Sequence, residues 1–138
     1  MTEPPVIVVG VDGSPSSLRA VQWAAQQAKL TGATLRAVSS WRWPNYITRL
    51  PPGVDLPKDT GITLDEVLDQ ALVGSEDVIV TRHVIEGPPG PALLSQAEEA
   101  TLLVVGAKGR AAFPGMLLGS VAEHCVRHGS CPVVVVHP

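Results

Sequence analysis

The chain has 138 residues, of which 45% are hydrophobic and 17% are charged. This size and composition predict one globular domain over residues 1–138 and exclude intrinsic disorder. Ten Lys and Arg residues against 13 Asp and Glu residues leave a net charge of −3, which argues against a protein that binds nucleic acid through a basic face. No apolar run approaches the ~20 residues that cross a bilayer, and the N-terminus lacks the basic region of a signal peptide. We therefore expect a cytoplasmic protein with neither membrane nor nucleic-acid partners.

The two cysteines, Cys125 and Cys131, match no metal or redox pattern. Their spacing is not that of a CxxC motif, and no second pair is present to complete a zinc site. We expect two reduced, largely buried thiols, as in a cytosolic protein. A disulfide between them would require a turn that brings the two together.

The first predicted elements are a strand, a helix and a second strand. The apolar run at residues 6–9 (VIVV) is typical of a strand buried on both faces. A helix begins at the N-cap Ser14, with Pro15 in its first turn, and ends at Gly32. Residues 34–41 (TLRAVSSW) predict the second strand.

The middle of the chain is less regular. Residues 42–61 contain four prolines, which predict an irregular loop without a long helix or strand. A short helix follows over residues 63–72, where apolar residues recur at helical spacing. The alternating segment 78–85 predicts a strand toward a sheet edge, and residues 91–100 predict another helix.

The last third repeats the alternation. Residues 102–105 (LLVV) and 133–136 (VVVV) predict two more buried strands, separated by a helix over 120–128 that ends at Gly129. Strand and helix thus alternate throughout, which predicts an α/β fold with a five-stranded parallel sheet and helices on both faces.

Ligands of such sheets bind at the carboxyl ends of strands where neighbouring connections diverge. The first strand ends in GVDGS (10–14), and the fourth ends in GAKGR (106–110), followed by Gly119 and Ser120. The pattern is Gly-x2-Gly-x9-Gly-Ser. Glycines allow close approach of the backbone and positive φ, so that amide groups can converge on phosphate oxygens.

Side chains beside these glycines suit a nucleotide. Gly119 and Ser120 open the last helix, whose free amides form an anion site, and Ser120 adds a hydroxyl donor. Lys108 and Arg110 supply positive charge, and Asp12 is an acceptor suited to a ribose hydroxyl.

Each of these residues also has a structural interpretation. Residues 120–123 (SVAE) form a capping box by sequence, and Asp12 and Ser14 are good turn or cap residues. Lys108 and Arg110 taken alone are solvated loop charges. The phosphate loop of NTPases and the GxGxxG fingerprint are absent from the sequence. The four histidines, of which His124 and His128 share the predicted helix 120–128, lack paired metal ligands, so we expect neither a metal site nor catalytic residues.

The segments VVGVDGSPSS, AVSSW, VIEG, LLVVGAKG and LLGSVAEHCVRHGSCPVVVV resemble, in that order, the universal stress protein family. The resemblance covers essentially the whole chain. It implies an open, adenine nucleotide alpha hydrolase-like fold with strand order 3-2-1-4-5, usually in a dimeric cytosolic protein. Members with this glycine pattern generally bind ATP.

The resemblance also implies a role for each matching residue. Gly10, Val11 and Asp12 would line adenine and ribose, and the backbone near Ser40 would reach the adenine. The residues that would hold phosphates and ribose are Gly106, Ala107, Gly109, Gly119, Ser120 and Val121. The sequence departs from the family at Lys108, where Ser or Thr is more usual, at Ser39, where His is common, and in its shorter predicted second helix.

The leading hypothesis is a small ATP-binding stress or regulatory module whose nucleotide state biases its contacts with a second copy or a partner. Whether Mg²⁺ accompanies the ATP and which other proteins it binds are left open. One alternative is an enzyme, a slow ATPase or nucleotidyl transferase, although no paired carboxylates or general base stand beside the glycine loops. Another is a module that prefers a different adenine nucleotide, such as cyclic AMP.

The last strand predicts a homodimer. In the order 3-2-1-4-5 the four valines 133–136 lie at a sheet edge without a charged residue among them, and such an edge invites pairing with another strand. A two-fold axis would pair this strand antiparallel with its own copy. The alternative is a monomer in which the last helix covers the valines on one face and the third helix covers them on the other.

Overall fold

In the computed structural model, which describes residues 3–44 and 48–138, strands and helices alternate along the chain. The strands are β1 (Val6–Gly10), β2 (Thr34–Trp41), β3 (Val80–Glu86), β4 (Leu102–Gly106) and β5 (Val133–Val136). The helices are α1 (Pro15–Thr31), α2 (Leu56–Ala71), α3 (Pro89–Gln96) and α4 (Ser120–His128). The fold class expected from the alternation is confirmed.

All strand pairs are parallel, and the sheet order is β3-β2-β1-β4-β5. β1 is the central strand and pairs with both β2 and β4. The chain first builds outward from β1 to β3 and then returns to add β4 and β5 on the other side. The carboxyl ends of β1 and β4 therefore flank the point where the connections diverge, as the strand order 3-2-1-4-5 implies.

The helices divide between the two faces in pairs. α1 and α2 pack on one face, around Leu35 and Leu64, and α3 and α4 pack on the other, around Leu103. The last two helices, α3 and α4, thus lie on the same face of the sheet. The sequence-based alternative that α3 and α4 cover opposite faces of β5 is wrong, because Val134 and Val136 pack in the cluster that contains α1.

α1 has the predicted ends. The Ser14 side chain accepts a hydrogen bond from the Ser17 amide (3.2 Å), and Pro15 stands in the first turn. Gly32 ends the helix in the left-handed conformation, with φ of 72°. β2, α4 and β5 also have the bounds that the sequence predicts.

α2 is longer than predicted. It begins at Leu56 and runs for 16 residues, so the predictions of a short helix from residue 63 and of an irregular segment through residue 61 are wrong. The Asp55 carboxylate caps it by accepting from the Lys58 amide (3.2 Å). Pro57 is compatible with the helix because amides in the first turn have no intrahelical acceptor to lose. Residues 45–47 of the predicted loop lie outside the described residues.

Two further elements differ from their predicted bounds, β3 by one or two residues and α3 by two to four. β3 begins at Val80 because residues 75–78 form a turn, in which the Val78 amide donates to the Ser75 carbonyl (3.1 Å). α3 begins at Pro89 and ends at Gln96, ahead of a second turn in which the Ala100 amide donates to the Ala97 carbonyl (3.1 Å). β3 lies at the sheet edge, as predicted.

Cys125 and Cys131 are both free thiols. Cys125 is buried in the cluster between α4 and the sheet, and burial raises its pKa to about 11. The pKa of the half-buried Cys131 is raised by the same cause. Neither sulfur is therefore an activated nucleophile.

Among the described residues, no helix combines the length and the hydrophobicity that a membrane span requires.

Candidate functional site

A cleft with a volume of about 330 Å³ opens at the carboxyl ends of β1 and β4. The sequence-predicted residues that line it are Gly10, Val11, Asp12, Ser40, Gly106, Lys108, Gly109, Arg110, Gly119, Ser120 and Val121. They come from four separate stretches of the chain, which the parallel sheet brings to one edge. Their roles in binding remain predictions, but their convergence on one cleft of ligand-sized volume is an observation.

Ala107 is the predicted residue that does not line the cleft. It is fully buried, with its amide donating to the Val136 carbonyl (2.8 Å) and its carbonyl accepting from the Gly119 amide (2.6 Å). Ala107 thus joins the end of β4 to the end of β5 and to the start of α4. Its place in the motif is explained by how it positions Gly119.

Asp12 connects the two loops that form the cleft. One carboxylate oxygen, Oδ1, accepts from the Ser14 amide (2.9 Å) within the loop after β1. The other, Oδ2, accepts from the Arg110 amide (3.2 Å) in the loop after β4. The turn interpretation of Asp12 is therefore correct, and the side chain additionally joins residues that are far apart in the sequence.

The motif glycines serve close packing and not an unusual backbone conformation. Gly13, in the loop after β1, has the expected positive φ (84°), but none of Gly10, Gly106, Gly109 and Gly119 does, so the positive φ expected for these four is wrong. A Cβ at Gly106 would lie 2.6 Å from the Ser16 Cβ, and one at Gly109 would lie 2.8 Å from the Asp12 carboxylate. Larger residues would separate β4 from α1 and displace the loop after β4 from Asp12.

The amino end of α4 is open toward the cleft. Its N-cap is Gly119, and no described side chain caps it, so the capping box predicted from SVAE does not form. Ser120 is instead the first helical residue, with an exposed side chain. The Glu123 amide donates to the Gly119 carbonyl (2.9 Å), and the amides of residues 120–122, which precede it, have no acceptor within the helix. Residues 120–122 all line the cleft.

Positive side chains surround this helix end. Lys108 and Arg110, predicted from the sequence, line the cleft on the loop before α4, and Arg42 adds a third positive charge at the end of β2. Asp12 is the single carboxylate among the described lining residues. Cations and an open helix N-terminus together favour an anionic ligand group at this end.

The other end of the cleft exposes backbone hydrogen-bonding groups of β2. Odd-numbered residues of β2 pair with β3, as in the bond from the Gly87 amide to the Trp41 carbonyl (2.8 Å), and even-numbered residues pair with β1, as in the bond from the Val11 amide to the Val38 carbonyl (2.8 Å). By this alternation the amide and carbonyl of Ser40 point to the β1 side. β1 ends at Gly10, opposite Val38, so Ser40 has no backbone partner there among the described residues and faces the cleft.

Several lining residues were missed by the sequence reasoning. Gly87 and Pro89 follow β3 and would have been found if the carboxyl ends of all strands had been considered, and not only the two where the connections diverge. Arg42 directly follows β2 and would have been found in the same way. Met116 lies within the nine-residue spacer of the motif, and no local pattern distinguishes it from its exposed neighbours Phe113 and Leu117.

The chain belongs to the universal stress protein family, whose family model matches residues 5–137. Universal stress protein Rv2623 of Mycobacterium tuberculosis is 36% identical in an alignment that is 140 residues long and covers 95% of this chain and 47% of that protein. The chain spans about half the length of the curated relatives it matches.

Solved structures share the fold over nearly the whole chain. The crystal structure of a universal stress protein in complex with cAMP is 33% identical, with a TM-score of 0.74, and the match covers 99% of this chain and 98% of that one. Universal stress protein UspA from Lactobacillus plantarum is 22% identical, with a TM-score of 0.69 and 99% of both chains covered, and it is evidence for the fold alone.

Proposed function

We propose that this chain binds an adenine nucleotide, ATP foremost, in the cleft at the ends of β1 and β4. The observation that carries the proposal is the pairing of two different ends in one cleft: an open helix N-terminus with cations, and a free backbone edge at Ser40. A nucleotide has the same two-part chemistry, an anionic phosphate chain and a flat base with a hydrogen-bonding edge. The relative that is 33% identical was solved in complex with cAMP, which supports the same ligand class.

The phosphates would lie against the first turn of α4. The amides of Ser120, Val121 and Ala122 supply donors without an intrahelical acceptor. Lys108 and Arg110 add charge from the preceding loop, and the exposed Ser120 hydroxyl adds a further donor. Mg²⁺ bound to the phosphates would be compatible with this end, since Mg²⁺ usually retains waters and phosphate oxygens as ligands.

The base would lie against β2. The amide of Ser40 can donate to N1 of adenine, and its carbonyl can accept from the amino group at C6. Guanine and hypoxanthine carry the reverse pattern, with a donor at N1 and an acceptor at C6, and would set donor against donor. This edge therefore selects adenine over 6-oxopurines.

A regulatory module fits the cleft better than an enzyme does. Asp12 is the single carboxylate among the described lining residues, and both of its oxygens already accept backbone amides. It is thus poorly placed to activate water. We propose a cytoplasmic module, dimeric through β5, in which bound nucleotide changes the contacts of the loops around the cleft.

The test is the nucleotide that the protein retains and prefers. Mass spectrometry of the native protein should reveal a co-purified adenine nucleotide. Calorimetry should show that ATP binds at least about tenfold more tightly than ITP. In ITP the N1–H group would oppose the Ser40 amide and the oxygen at C6 would oppose the Ser40 carbonyl. Equal binding of ATP and ITP, or no binding of either, would overturn the proposal. Multiple-turnover release of ADP would instead support the enzyme alternative.

Cyclic AMP is the second candidate, favoured by the cAMP complex of the 33% identical relative. The two ligands share the base and differ in charge and in the length of the phosphate chain. Competition of cAMP against ATP at equal concentrations distinguishes them: occupancy of more than half of the sites by cAMP would assign the site to the cyclic nucleotide.

A further inference from the structure

We infer that Ser39, a buried side chain outside the cleft, keeps the Ser40 backbone available to the base and thereby sets the base selectivity of the site. Ser39 is a positioning residue: it acts on the ligand through its neighbour. This inference rests on the proposed function for its ligand, although its structural part concerns the free protein.

The Ser39 hydroxyl donates to the Val11 carbonyl at 2.6 Å. Ser39 is 4% exposed and Val11 is also 4% exposed, so no solvent competes for this bond. The side chain of an odd-numbered residue of β2 thus reaches across to the first residue after β1. It satisfies a buried carbonyl at the point where the β1–β2 ladder stops.

The Val11 carbonyl is also the acceptor that the Ser40 amide would use if the ladder continued. In a parallel ladder, a residue that accepts from one partner donates to the residue two positions earlier on that strand. Since the Val11 amide donates to the Val38 carbonyl, the next bond in the series would run from the Ser40 amide to the Val11 carbonyl. The hydroxyl of Ser39 takes the place of that donor.

Without the hydroxyl, a buried carbonyl would lose its partner, which is unfavourable. The nearest donor in register is the Ser40 amide. We therefore expect Ser39→Ala to extend the β1–β2 ladder by one bond and to withdraw the Ser40 amide from the cleft. An adenine ring would then lose the donor to N1, and the contrast between ATP and ITP would shrink.

The structural part is tested by amide hydrogen exchange measured by NMR on the nucleotide-free protein. In the unchanged protein the Ser40 amide should exchange at least about tenfold faster than that of Val38, which is within the ladder. In Ser39→Ala it should become protected by a similar factor. Ser39→Thr, which retains a hydroxyl on a residue favoured in strands, should restore the fast exchange.

The functional part is tested by calorimetry with ATP and ITP. Ser39→Ala should weaken the affinity for ATP by about tenfold while changing the affinity for ITP less than about twofold. In Ser39→Thr the ratio of the two affinities should stay close to that of the wild-type protein. Ser75→Ala, which removes a buried hydroxyl from the α2–β3 connection, is the matched control and should leave both affinities and the Ser40 exchange rate unchanged.

The outcomes separate this inference from the proposed function. A slowly exchanging Ser40 amide in the unchanged protein, or one that Ser39→Ala does not alter, overturns the role of Ser39 whatever the ligand. If the exchange rates are as expected but the ratio of the ATP and ITP affinities is the same in Ser39→Ala as in the wild-type protein, the role of Ser39 in base selectivity is overturned. An unchanged protein that binds no adenine nucleotide overturns the proposed function, while the exchange experiment still decides the backbone arrangement.

Discussion

Gly109 shows how a motif residue can be explained by its neighbours within the protein. A Cβ at this position would lie 2.8 Å from the Asp12 carboxylate, which itself accepts from the amide of the adjacent Arg110. We expect Gly109→Val to lower the free energy of unfolding by about 1 kcal/mol, because the Asp12 carboxylate must move and lose its hydrogen bond to the Arg110 amide, and to weaken ATP binding at least about tenfold. Denaturant unfolding and calorimetry measure the two effects.

The double variant with Asp12→Ala identifies the cause. If the collision with Asp12 is responsible, Gly109→Val should cost less stability in the Asp12→Ala background than in the unchanged protein. Additive losses would place the strain elsewhere, and ATP binding at full strength in Gly109→Val would show that the phosphate site lies away from this loop.

Asp12 itself should have both a structural and a ligand-binding effect. Asp12→Ala removes two acceptors for backbone amides, so the loops on both sides of the cleft should shift and every nucleotide should bind less tightly. A ribose hydroxyl bond adds a further loss for ATP, so ATP should weaken about tenfold more than 2′-deoxy-ATP does if the hydroxyl at C2′ is bound. Equal losses in calorimetry would leave Asp12 with the loop-joining role alone.

The buried thiol of Cys125 should lower the stability of the folded protein at alkaline pH. Burial raises the pKa of its thiol to about 11, whereas in the unfolded chain the thiol ionises near its ordinary pKa of roughly 8.5. Below that ordinary value both states are protonated and stability is unaffected. As the pH rises from there toward 11, only the unfolded state loses the proton, so stability falls by up to about 1.4 kcal/mol per pH unit.

Urea unfolding between pH 8 and pH 10.5 checks this expectation. Cys125→Ala should be less stable at pH 8, because it leaves a cavity, but its stability should fall less steeply above that pH. Parallel curves for the two proteins would mean that Cys125 ionises in the folded state as readily as in the unfolded one.

Among the secondary-structure elements, α2 illustrates how a cap decides where a helix begins. Asp55 accepts from the Lys58 amide, and its own amide donates to the Asp59 carboxylate (3.4 Å). Asp55→Ala should lower the free energy of unfolding by about 1 kcal/mol, the usual effect of removing an N-cap. Asp69→Ala, at an exposed position on the same helix, is the control and should be nearly neutral; a similar loss in both variants would indicate a general charge effect.

At the scale of the whole molecule, β5 is the edge strand through which we propose a homodimer. The Leu103 amide donates to the Pro132 carbonyl (3.0 Å) and the Ala107 amide donates to the Val136 carbonyl (2.8 Å). Even-numbered residues of β5 therefore pair with β4, and the amides of Val133 and Val135 point outward from the sheet. An antiparallel copy would find its donors there.

Val135→Pro removes one outward amide without removing a bond to β4, and proline is tolerated at sheet edges. We expect it to weaken the dimer at least about tenfold, as measured by sedimentation, because a buried carbonyl of the copy loses its donor. Val135→Ala retains the amide and should remain dimeric. A protein without substitutions that sediments as a monomer at tens of micromolar would exclude the dimer.

Short-range signals in the sequence were sufficient for most of this architecture. Runs such as VIVV and VVVV, together with the cap residues Ser14 and Gly32, determine strands and helix ends through neighbours a few positions away. The position of the cleft also followed, because parallel strands place their carboxyl ends together. The start of α2 was missed although its signal is equally local, because the four prolines suggested a loop, whereas Asp55 caps the Lys58 amide and Pro57 stands in the first turn.

The arrangement within the cleft was decided by residues far apart in the chain. Asp12 meets Arg110, Gly106 contacts Ser16, and the Ser39 hydroxyl reaches Val11. The motif alone suggested positive φ at the glycines and a serine cap on α4. The tertiary structure shows that the glycines allow close packing and that the amino end of α4 is open. The physical reason is that backbone approach and hydrogen-bond satisfaction depend on which segments the sheet places side by side, and a local pattern carries no information about those partners.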